Sequence, residues 1–324
     1  MTPDVIFHIA ARGDWDRARK TGSYVAESLG TDGFIHCATE EQYVNVANDL
    51  FAGRTDLVLL FIDRARLASG VRFEEGSAGA DPFPHVYGSI NVDAVFEAAP
   101  FIPDVDGLFT AHVEAMGYVL FGAATLDEAK LKTARTMAGS PFRWWVAGGW
   151  AIDIFLGAKT RPHPDLEIAI LAGDQAALHA HLAGWQLRLA APGGTFPAWD
   201  GGEIRPPYHQ VWARRGGGRA EVPEDFARDP SSVDFLLEEH DGELWVYRRN
   251  PAVTRPVADF GSLSPDGVPH VRPEVALLFK SKSTRYKDHL DFDAVLPHLA
   301  GDAREWLARA LEIADHRHAW LKWL

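Results

Sequence analysis

The chain has 324 residues, of which 47% are hydrophobic and 24% are charged, and its formal net charge at pH 7 is −13. This length predicts about two domains, and the composition is that of a protein able to bury full cores. The charge argues against a general nucleic-acid binder, and no apolar run is long enough to span a membrane. One cysteine, Cys37, excludes an internal disulfide, and the start of the chain lacks a signal-peptide pattern, so we predict a cytoplasmic protein.

The first hundred residues alternate short apolar runs with amphipathic segments. We predict a strand at residues 5–10, a helix around Trp15, a helix at 41–50 and a strand at 57–62. This alternation ends near residues 101–124, where we place the domain boundary. After it, Thr125 and Glu128 form a capping box that begins a new helix. We therefore predict an N-terminal domain over residues 1–110 and a C-terminal domain over residues 120–324.

Three histidines of the N-terminal domain, His8, His36 and His85, stand at or beside strand ends, where binding sites tend to gather. A single histidine in such a place is usually a neutral, buried imidazole bonded to backbone. Three together favour a ligand-binding cleft. A zinc site made of the three is the weaker alternative, because no short ligand spacing supports it.

The order of these residues resembles the domain-of-unknown-function 952 family, which is thought to share the ADP-ribosyltransferase-like fold and its split sheet. The residues that carry the resemblance are His8 in the first strand, Gly33-Phe34-Ile35-His36, and Pro84-His85-Val86-Tyr87. The resemblance implies that His8 contacts a ribose and that NAD is a candidate ligand of the cleft. The chain has no clear counterpart of the catalytic glutamate of that fold, so the resemblance does not by itself imply transferase activity.

Residues 144–170 are the most informative segment of the C-terminal domain. An apolar strand leads into Gly148-Gly149 and a short helix, and a second strand carries Asp165 and Glu167 on one face. Two neighbouring carboxylates repel each other unless a cation lies between them, and Mg²⁺ prefers oxygen ligands that it shares with substrate phosphates. A glycine pair at a helix start lets backbone N–H groups approach an anion. Each feature alone is common in turns and on solvated strands, but this order is typical of a nucleotidyl-transfer site.

The same segment resembles the aminoglycoside and lincosamide nucleotidyltransferases, a branch of the polymerase-beta-like superfamily. The resemblance is carried by Gly148-Gly149-Trp150-Ala151-Ile152-Asp153, Gly157, Thr160-Arg161, His163 and Asp165-Leu166-Glu167. Trp150 stands where many members have Ser or Thr, and Glu167 stands where the second acid is commonly Asp. The resemblance implies a mixed sheet with flanking helices, Mg²⁺, ATP or another nucleoside triphosphate as substrate, and a nucleotide-binding role for Arg161.

A third carboxylate would support or deprotonate the attacking hydroxyl. Asp234 is the favoured candidate, because an Asp within an apolar run is costly to bury unless it is paired or ligating. Glu221 is the alternative acid. If Asp234 has no catalytic role, we expect it to be a solvent-facing residue on a half-exposed strand.

A helix that begins at Pro273 ends in a cluster of cations. The resemblance implies that Lys280, Lys282 or Lys287 neutralises the triphosphate, with Lys280 and Lys282 favoured. The alternative is a solvated helix end, where cations complement the dipole.

These patterns predict a two-domain α+β or α/β protein whose C-terminal domain moves a nucleoside monophosphate, AMP from ATP first, to a hydroxyl of a small acceptor. The negative charge favours a cationic, aminoglycoside-like acceptor, and we expect Asp200, Glu203, Glu238 and Glu239 to border its pocket. Two alternatives stay open. One is an antitoxin-type enzyme that modifies a partner protein, and the other is a sensor in which both domains bind nucleotides and neither turns over.

Overall fold

The computed structural model describes residues 5–74, 81–112, 124–190, 196–216, 222–227 and 229–324. The chain divides into two compact units. The N-terminal unit comprises Met1–Ala123 and Arg285–Lys287, and the C-terminal unit comprises Ala124–Thr284 and Asp288–Leu324. Within the described ranges, no helix is both long enough and apolar enough to cross a membrane.

The N-terminal unit contains short helices and three small antiparallel sheets. Its strands are β1 (Val5–Ala11), β2 (Ser23–Tyr24), β3 (Ile35–His36), β4 (Leu57–Asp63), β5 (Gly70–Glu74), β6 (Phe83–Tyr87), β7 (Ile90–Asn91) and β8 (Val95–Phe101), and its helices are α1 (Arg12–Thr21), α2 (Ser28–Thr31) and α3 (Tyr43–Phe51). The sheet orders are β1-β4-β8, β2-β7 and β3-β6-β5. The four elements predicted for this unit are present, with bounds that differ by one or two residues.

The burial of these strands follows from their places in the sheets. Every residue of β4 is buried, because β4 lies between β1 and β8 and presents a continuous apolar run. Glu97 of β8 lies 2.6 Å from Nζ of Lys287, so this lysine is engaged inside the N-terminal unit. The ADP-ribosyltransferase-like split sheet expected for this unit stays a prediction.

The C-terminal part of the chain is built around a larger sheet with helices. Its strands are β9 (Trp144–Val146), β10 (Glu167–Leu171), β11 (Trp185–Leu189), β12 (Gln210–Arg215), β13 (Val233–Glu238), β14 (His240–Asp241), β15 (Leu244–Val246), β16 (Thr254–Pro256), β17 (Gly261–Leu263) and β18 (Pro269–Val271). Its helices are α4 (Leu126–Met137), α5 (Gly148–Leu156), α6 (Gln175–His181), α7 (Pro223–Ala227), α8 (Pro273–Lys280), α9 (Tyr286–Val295) and α10 (Gly301–Asp315).

Seven of these strands form one mixed sheet in the order β11-β12-β13-β10-β9-β18-β17. β10 pairs with β13 in parallel and with β9 antiparallel, so the acid-bearing strands are central. Buried side chains of α5, α8 and α10, including Ile152, Leu277 and Leu311, share one core. The capping box is present, since the backbone N of Thr125 donates to Oε2 of Glu128 at 2.7 Å and the Glu128 backbone N donates back to Oγ1 at 3.2 Å.

Candidate active site

The glycine pair begins helix α5 directly after strand β9. Gly148 has a φ of +61°, a conformation that favours glycine, and a Cβ there would lie 1.5 Å from Oε2 of Glu167. A Cβ on Gly149 would lie 2.1 Å from Nδ1 of His163. The absence of a side chain at these two positions therefore leaves space for the side chains of Glu167 and His163. The carboxylate of Glu167 lies against the helix N-terminus, where the helix dipole favours negative charge.

Glu167 and Asp234 are direct neighbours in the sheet. β10 and β13 run parallel with Glu167 opposite Asp234, and the backbone N of Asp234 donates to the carbonyl O of Leu166 at 2.9 Å. Residues in register project from the same face, so the two carboxylates lie side by side. The fold thus brings together acids that are far apart in the chain. Glu221, the alternative third acid, lies outside the described residues.

Asp234 is buried and its carboxylate is only partly satisfied. Nε2 of Gln210 donates to Oδ2, while Oδ1 has no hydrogen bond of normal geometry from a described residue, although the neighbouring Trp212 side chain lowers the pKa of the group. Burial raises the pKa of Asp234 well above its usual value, and the negative charges of Glu167 and Asp165 raise it further. Such a group is costly to bury alone, so a cation or a proton is its expected partner.

Trp150 connects helix α5 to the segment that carries Asp165. The prediction that Asp165 lies on the same strand as Glu167 is wrong, because β10 begins at Glu167 and Asp165 lies in a bend two residues earlier. The indole of Trp150 is buried, and Nε1 donates to the backbone O of Asp165 at 2.9 Å. It therefore fills the core beneath the site and orients the chain just before β10.

Lys132 of helix α4 belongs to the same site, although no sequence pattern singled it out. Its Nζ donates to the carbonyl O of Ser232, two residues before Asp234, at 2.5 Å. Burial lowers the pKa of Lys132 to about 8, and the charges of Asp165 and Asp229 oppose that shift. Lys132 therefore brings positive charge to the carboxylates. A lysine on an amphipathic helix carries no local signal of such a role.

The acids suit a magnesium ion by chemical type. All three offer carboxylate oxygens, and Oδ1 of Asp234 has no hydrogen bond of normal geometry in the described part of the chain. Across that same part, no group of three or more His, Cys, Asp or Glu side chains is arranged to hold a metal ion. Asp165, Glu167 and Asp234 therefore suit Mg²⁺ by the chemistry of their oxygens, and a metal-binding role for Asp165 and Glu167 stays a prediction.

A buried polar network supports the glycine turn. Nε2 of His163 lies 2.6 Å from Oδ2 of Asp153, and the backbone N and Oγ1 of Thr160 donate to Oδ1 at 3.0 and 2.6 Å. Burial lowers the pKa of His163 to about 4, although the charge of Asp153 opposes this. These motif residues therefore hold α5 to the following loop.

Arg161 lies inside this network and not at a surface. Its Nε and Nη2 donate to the two carboxylate oxygens of Asp291 at 2.9 and 2.8 Å, and Nη1 donates to the carbonyl O of Pro162. Nζ of Lys280 lies 2.7 Å from Asp291 and 3.4 Å from Asp288. Burial opposes ionisation of Asp291, but the charges of Arg161 and Lys280 hold its pKa well below its usual value. Arg161 and Lys280, two of the predicted nucleotide-binding residues, are thus engaged with Asp291, and contact with a phosphate would require them to leave it.

Lys282, in contrast, is exposed just after α8, and its charge acts on His209 together with those of two arginines. Burial, and then the charges of Arg248, Arg249 and Lys282, lower the pKa of His209. Nη1 of Arg249 donates to the carbonyl O of Phe279 at 2.5 Å. The basic cluster around Lys282 therefore includes two arginines that the sequence pattern did not suggest.

The acids expected at an acceptor pocket differ in their positions. Glu238 is buried and accepts a hydrogen bond from Nε1 of Trp245 at 2.8 Å, and burial raises its pKa to about 7. Glu203 is in an exposed ion pair, and Asp200 and Glu239 are exposed. Glu238 is therefore a core residue, and the prediction that it borders a pocket is wrong.

Gly149→Ala is expected to destabilise the C-terminal unit. The added methyl would lie 2.1 Å from the buried His163 ring and 3.0 Å from Nη2 of Arg161, so that packed groups must move. We expect chemical denaturation to show a free energy of unfolding lower by about 1–3 kcal/mol, as for other overpacked cores. Gly301→Ala is the matched control, because Gly301 also begins a helix and a Cβ there would have nothing within 4 Å of it. Equal losses in the two variants would contradict this account.

The three predicted histidines of the N-terminal unit are brought together in different environments. His8 is buried, with Nδ1 2.7 Å from the carbonyl O of His36 and Nε2 2.9 Å from the hydroxyl of Tyr24. Both of its ring nitrogens are engaged, so His8 anchors the backbone of His36 and would contact a ribose only by giving up a bond. His36 and His85 are opposite each other in β3 and β6, with ring centroids 5.2 Å apart.

The burial of His8 should make stability depend on pH. Burial lowers the pKa of His8 to about 4. Because the unfolded value is about 6.5, the neutral ring stabilises the fold above that pH, and the contribution is lost as the pH falls from about 6.5 towards 4. We expect His8→Gln to lose less unfolding free energy than the parent between about pH 7.5 and 5, measured by chemical denaturation. His163 is present in both proteins and cancels in the comparison. If the unfolding free energies of the parent and of His8→Gln change with pH in parallel, His8 makes no contribution to the pH dependence of stability.

Comparisons with known proteins divide the chain in the same way. The family described as "Protein of unknown function (DUF952)" matches residues 9–98, and the family described as aminoglycoside-2''-adenylyltransferase matches residues 131–188. The chain thus contains one segment similar to the DUF952 family and, after it, one segment similar to the aminoglycoside-2''-adenylyltransferase family. No curated protein matches it at a significant level.

Solved structures resemble each part. Protein CC0527 from Caulobacter crescentus is 33% identical over 33% of this chain and 93% of its own, with a TM-score of 0.31. ANT(2")-Ia in complex with adenylyl-2"-tobramycin is 17% identical over 57% of this chain and 97% of its own, with a TM-score of 0.37. The lincosamide antibiotic adenylyltransferase LnuA, in its lincomycin-bound structure, is 17% identical over 53% of this chain and 98% of its own, with a TM-score of 0.36.

The matched ranges cover most of the candidate residues. The DUF952 segment contains His36 and His85 and begins immediately after His8. The adenylyltransferase-like segment contains Lys132, both glycines and the Asp165–Glu167 pair, and it ends before Asp234.

Proposed function

We propose that the C-terminal unit is an Mg²⁺-dependent nucleotidyltransferase that moves a nucleoside monophosphate, AMP from ATP first, onto a hydroxyl of a small acceptor. The observation that supports this most is the sheet register that places Glu167 beside Asp234, with Asp165 two residues away. The N-terminus of helix α5, which begins at Gly148, lies against the carboxylate of Glu167. The match to the aminoglycoside-2''-adenylyltransferase family supports the same class of reaction.

In this proposal Asp165 and Glu167 hold Mg²⁺, which when bound supplies positive charge that neutralises the phosphates. Asp234 acts as the general base, because it is the third carboxylate of the site and lies directly beside Glu167 in the sheet. Asp234 takes the proton of the acceptor hydroxyl. The hydroxyl oxygen then bonds to the α-phosphorus, the bond from that phosphorus to the bridging oxygen breaks, and pyrophosphate leaves.

The remaining residues would bind the triphosphate. Gly148 and Gly149 present backbone N–H groups at the start of α5, where the helix dipole favours an anion. Lys282 is exposed and is accompanied by Arg248 and Arg249, whose charges reach the same histidine. This cluster is a better phosphate partner than Arg161 and Lys280, because those two are engaged with Asp291.

The acceptor class follows from charge. A protein with a net charge of −13 attracts cations, so we propose a polyamino, aminoglycoside-like acceptor. A polyamino sugar should be modified faster than a neutral polyol of similar size, and added salt should raise its KM, since exposed charges are screened over about 8 Å at physiological ionic strength. Equal rates for both acceptors, without a salt effect, would contradict a cationic acceptor.

Turnover of α-labelled ATP by the full chain tests the proposal. The protein is incubated with Mg²⁺ and a panel of hydroxylated small molecules without any partner protein, and labelled acceptor and pyrophosphate are quantified. Transfer to a small molecule supports the proposal. Transfer that requires an added protein would replace it with the antitoxin-type reaction. Nucleotide binding without turnover would replace it with the sensor.

The N-terminal unit carries a separate prediction, the binding of NAD or a related ribonucleotide. Since both ring nitrogens of His8 are engaged, a ribose contact would fall to His36 or His85. Calorimetry with NAD, ADP-ribose and ATP on the parent and on His36→Ala measures this. Absence of binding at millimolar nucleotide would leave His8 a structural residue and remove NAD as a ligand.

A further inference from the structure

The small sheet β3-β6-β5 has one apolar face and one polar, aromatic face. Ile35 and Val86 are fully buried on the apolar face. Because side chains alternate along a strand, His36 and His85 project from the opposite face. Tyr87, two residues beyond His85, shares that face. Packing of the core does not require two adjacent imidazoles on the outer face of a sheet, so their pairing points to a ligand.

Each of the two histidines has one ring nitrogen bound to a carboxylate. Nε2 of His36 lies 3.0 Å from Oδ2 of Asp32, and Nδ1 of His85 lies 2.8 Å from Oε2 of Glu74. Nδ1 of His36 and Nε2 of His85 have no hydrogen bond to any described residue. Metal-bound histidines usually donate their second ring nitrogen to a carboxylate in this way, which sets the tautomer and leaves the other nitrogen as a ligand.

The surrounding groups also hold these imidazoles in place. Phe34 stacks on the ring of His85 with centroids 4.0 Å apart and an interplanar angle of 16°. The hydroxyl of Tyr87 donates to both carboxylate oxygens of Glu74, at 2.9 and 2.7 Å. His8 fixes the backbone O of His36 from the buried side. The pair is therefore prearranged by its neighbours.

The separation of the two rings is compatible with one ion bound by both imidazoles. The centroids of His36 and His85 are 5.2 Å apart, and the ring planes are nearly perpendicular, at 85°. An ion–nitrogen distance of about 2.1 Å places each ring centre about 3.2 Å from the ion, and a tetrahedral angle then separates the centres by about 5.2 Å.

We propose that His36 and His85 bind a divalent late transition-metal ion, such as Zn²⁺ or Ni²⁺, with Asp32 and Glu74 accepting from their second nitrogens. Imidazole suits these ions, whereas Mg²⁺ prefers oxygen ligands, so this site differs in kind from the carboxylate pair of the C-terminal unit. Two protein ligands leave coordination positions for water or a substrate group. Among the described residues, no third His, Cys, Asp or Glu completes a metal-binding group with the pair.

The test is calorimetric titration of the full-length, chelator-treated protein with NiCl₂ or ZnCl₂, in excess Mg²⁺ to occupy the oxygen sites. We expect the parent to bind one equivalent, and His36→Ala and His85→Ala each to bind at least tenfold more weakly. Glu74→Gln keeps both ligands but alters the acceptor of His85, and should weaken binding about 10–100-fold. His316→Ala is the control with unchanged affinity, since His316 is an exposed histidine of the other unit.

Cobalt provides a second readout. Co²⁺ bound by the two imidazoles should give visible absorption bands that are lost in the His36→Ala/His85→Ala double variant, and melting curves without metal show that each variant is folded. Unchanged Ni²⁺ affinity in the double variant, or no binding to the parent at millimolar metal, would overturn the proposal. Should the alanine variants melt early, His36→Asn and His85→Gln serve in their place. Neither result bears on nucleotidyl transfer.

Discussion

Asp165→Asn is expected to abolish nucleotidyl transfer, with a loss of about a thousandfold or more in kcat. The change keeps the volume of the side chain but removes charge from an acid proposed to hold Mg²⁺, an interaction that matters most in the transition state. Release of pyrophosphate from ATP in the presence of a productive acceptor measures the effect. Glu167→Gln should behave in the same way.

Two further observations separate loss of chemistry from loss of fold. Without Mg²⁺, Asp165→Asn should melt no earlier than the parent, because removing one charge relieves its repulsion of Asp234. Asp302→Asn removes an exposed acid from the same unit and should keep the parent activity. A rate above a few per cent of the parent in Asp165→Asn would remove this residue from the metal pair.

Asp291→Asn should have the largest effect on stability, lowering the free energy of unfolding by about 3–5 kcal/mol. The substitution removes the charge that balances Arg161 and Lys280, both of which bond to Asp291 in a buried network. An unpaired buried cation is far more costly than the absence of the whole pair. Urea or guanidinium denaturation measures the loss, and Asp293→Asn, an exposed acid on the same helix, is the control.

The pH dependence of this pair has a definite sign. The pKa of Asp291 is depressed in the folded protein, so its contribution to stability is complete above the unfolded value of about 3.9 and is lost as the pH falls below it. Asp291→Asn should therefore lose less stability than the parent on acidification below about pH 4. In a double-mutant cycle, Arg161→Met with Asp291→Leu should cost less than the sum of the single changes. Additive losses would mean that the pair is not coupled.

The elements whose signals lie within a few residues could be predicted. The capping box of Thr125 and Glu128, the strand Leu57–Asp63 and the helix α5 that begins at Gly148 all depend on local backbone preference and on the period of apolar residues. These interactions are short in sequence, so a pattern along the chain is enough to reveal them.

The roles of individual charged residues could not be predicted in the same way. Arg161 has the pattern of an exposed phosphate ligand, but the fold brings Asp291, 130 residues later, against its guanidinium. His8 has the pattern of a ligand residue, but Tyr24 and the carbonyl of His36 engage both of its nitrogens. Lys132 has the pattern of a surface lysine, but Ser232 and Asp165 lie beside it in the folded chain.

The sequence by itself determined which chemistry the chain could hold: oxygen donors two residues apart, glycines before a helix, and histidines at strand ends. Only the tertiary structure decided which of those groups remain available for ligands. The physical reason is that a charge or an imidazole is engaged by whichever partner lies within a few ångströms, and its pKa depends on burial. For Asp234, the register of β10 against β13 sets both which groups lie beside the carboxylate and how deeply it is buried. That register is a property of the folded sheet.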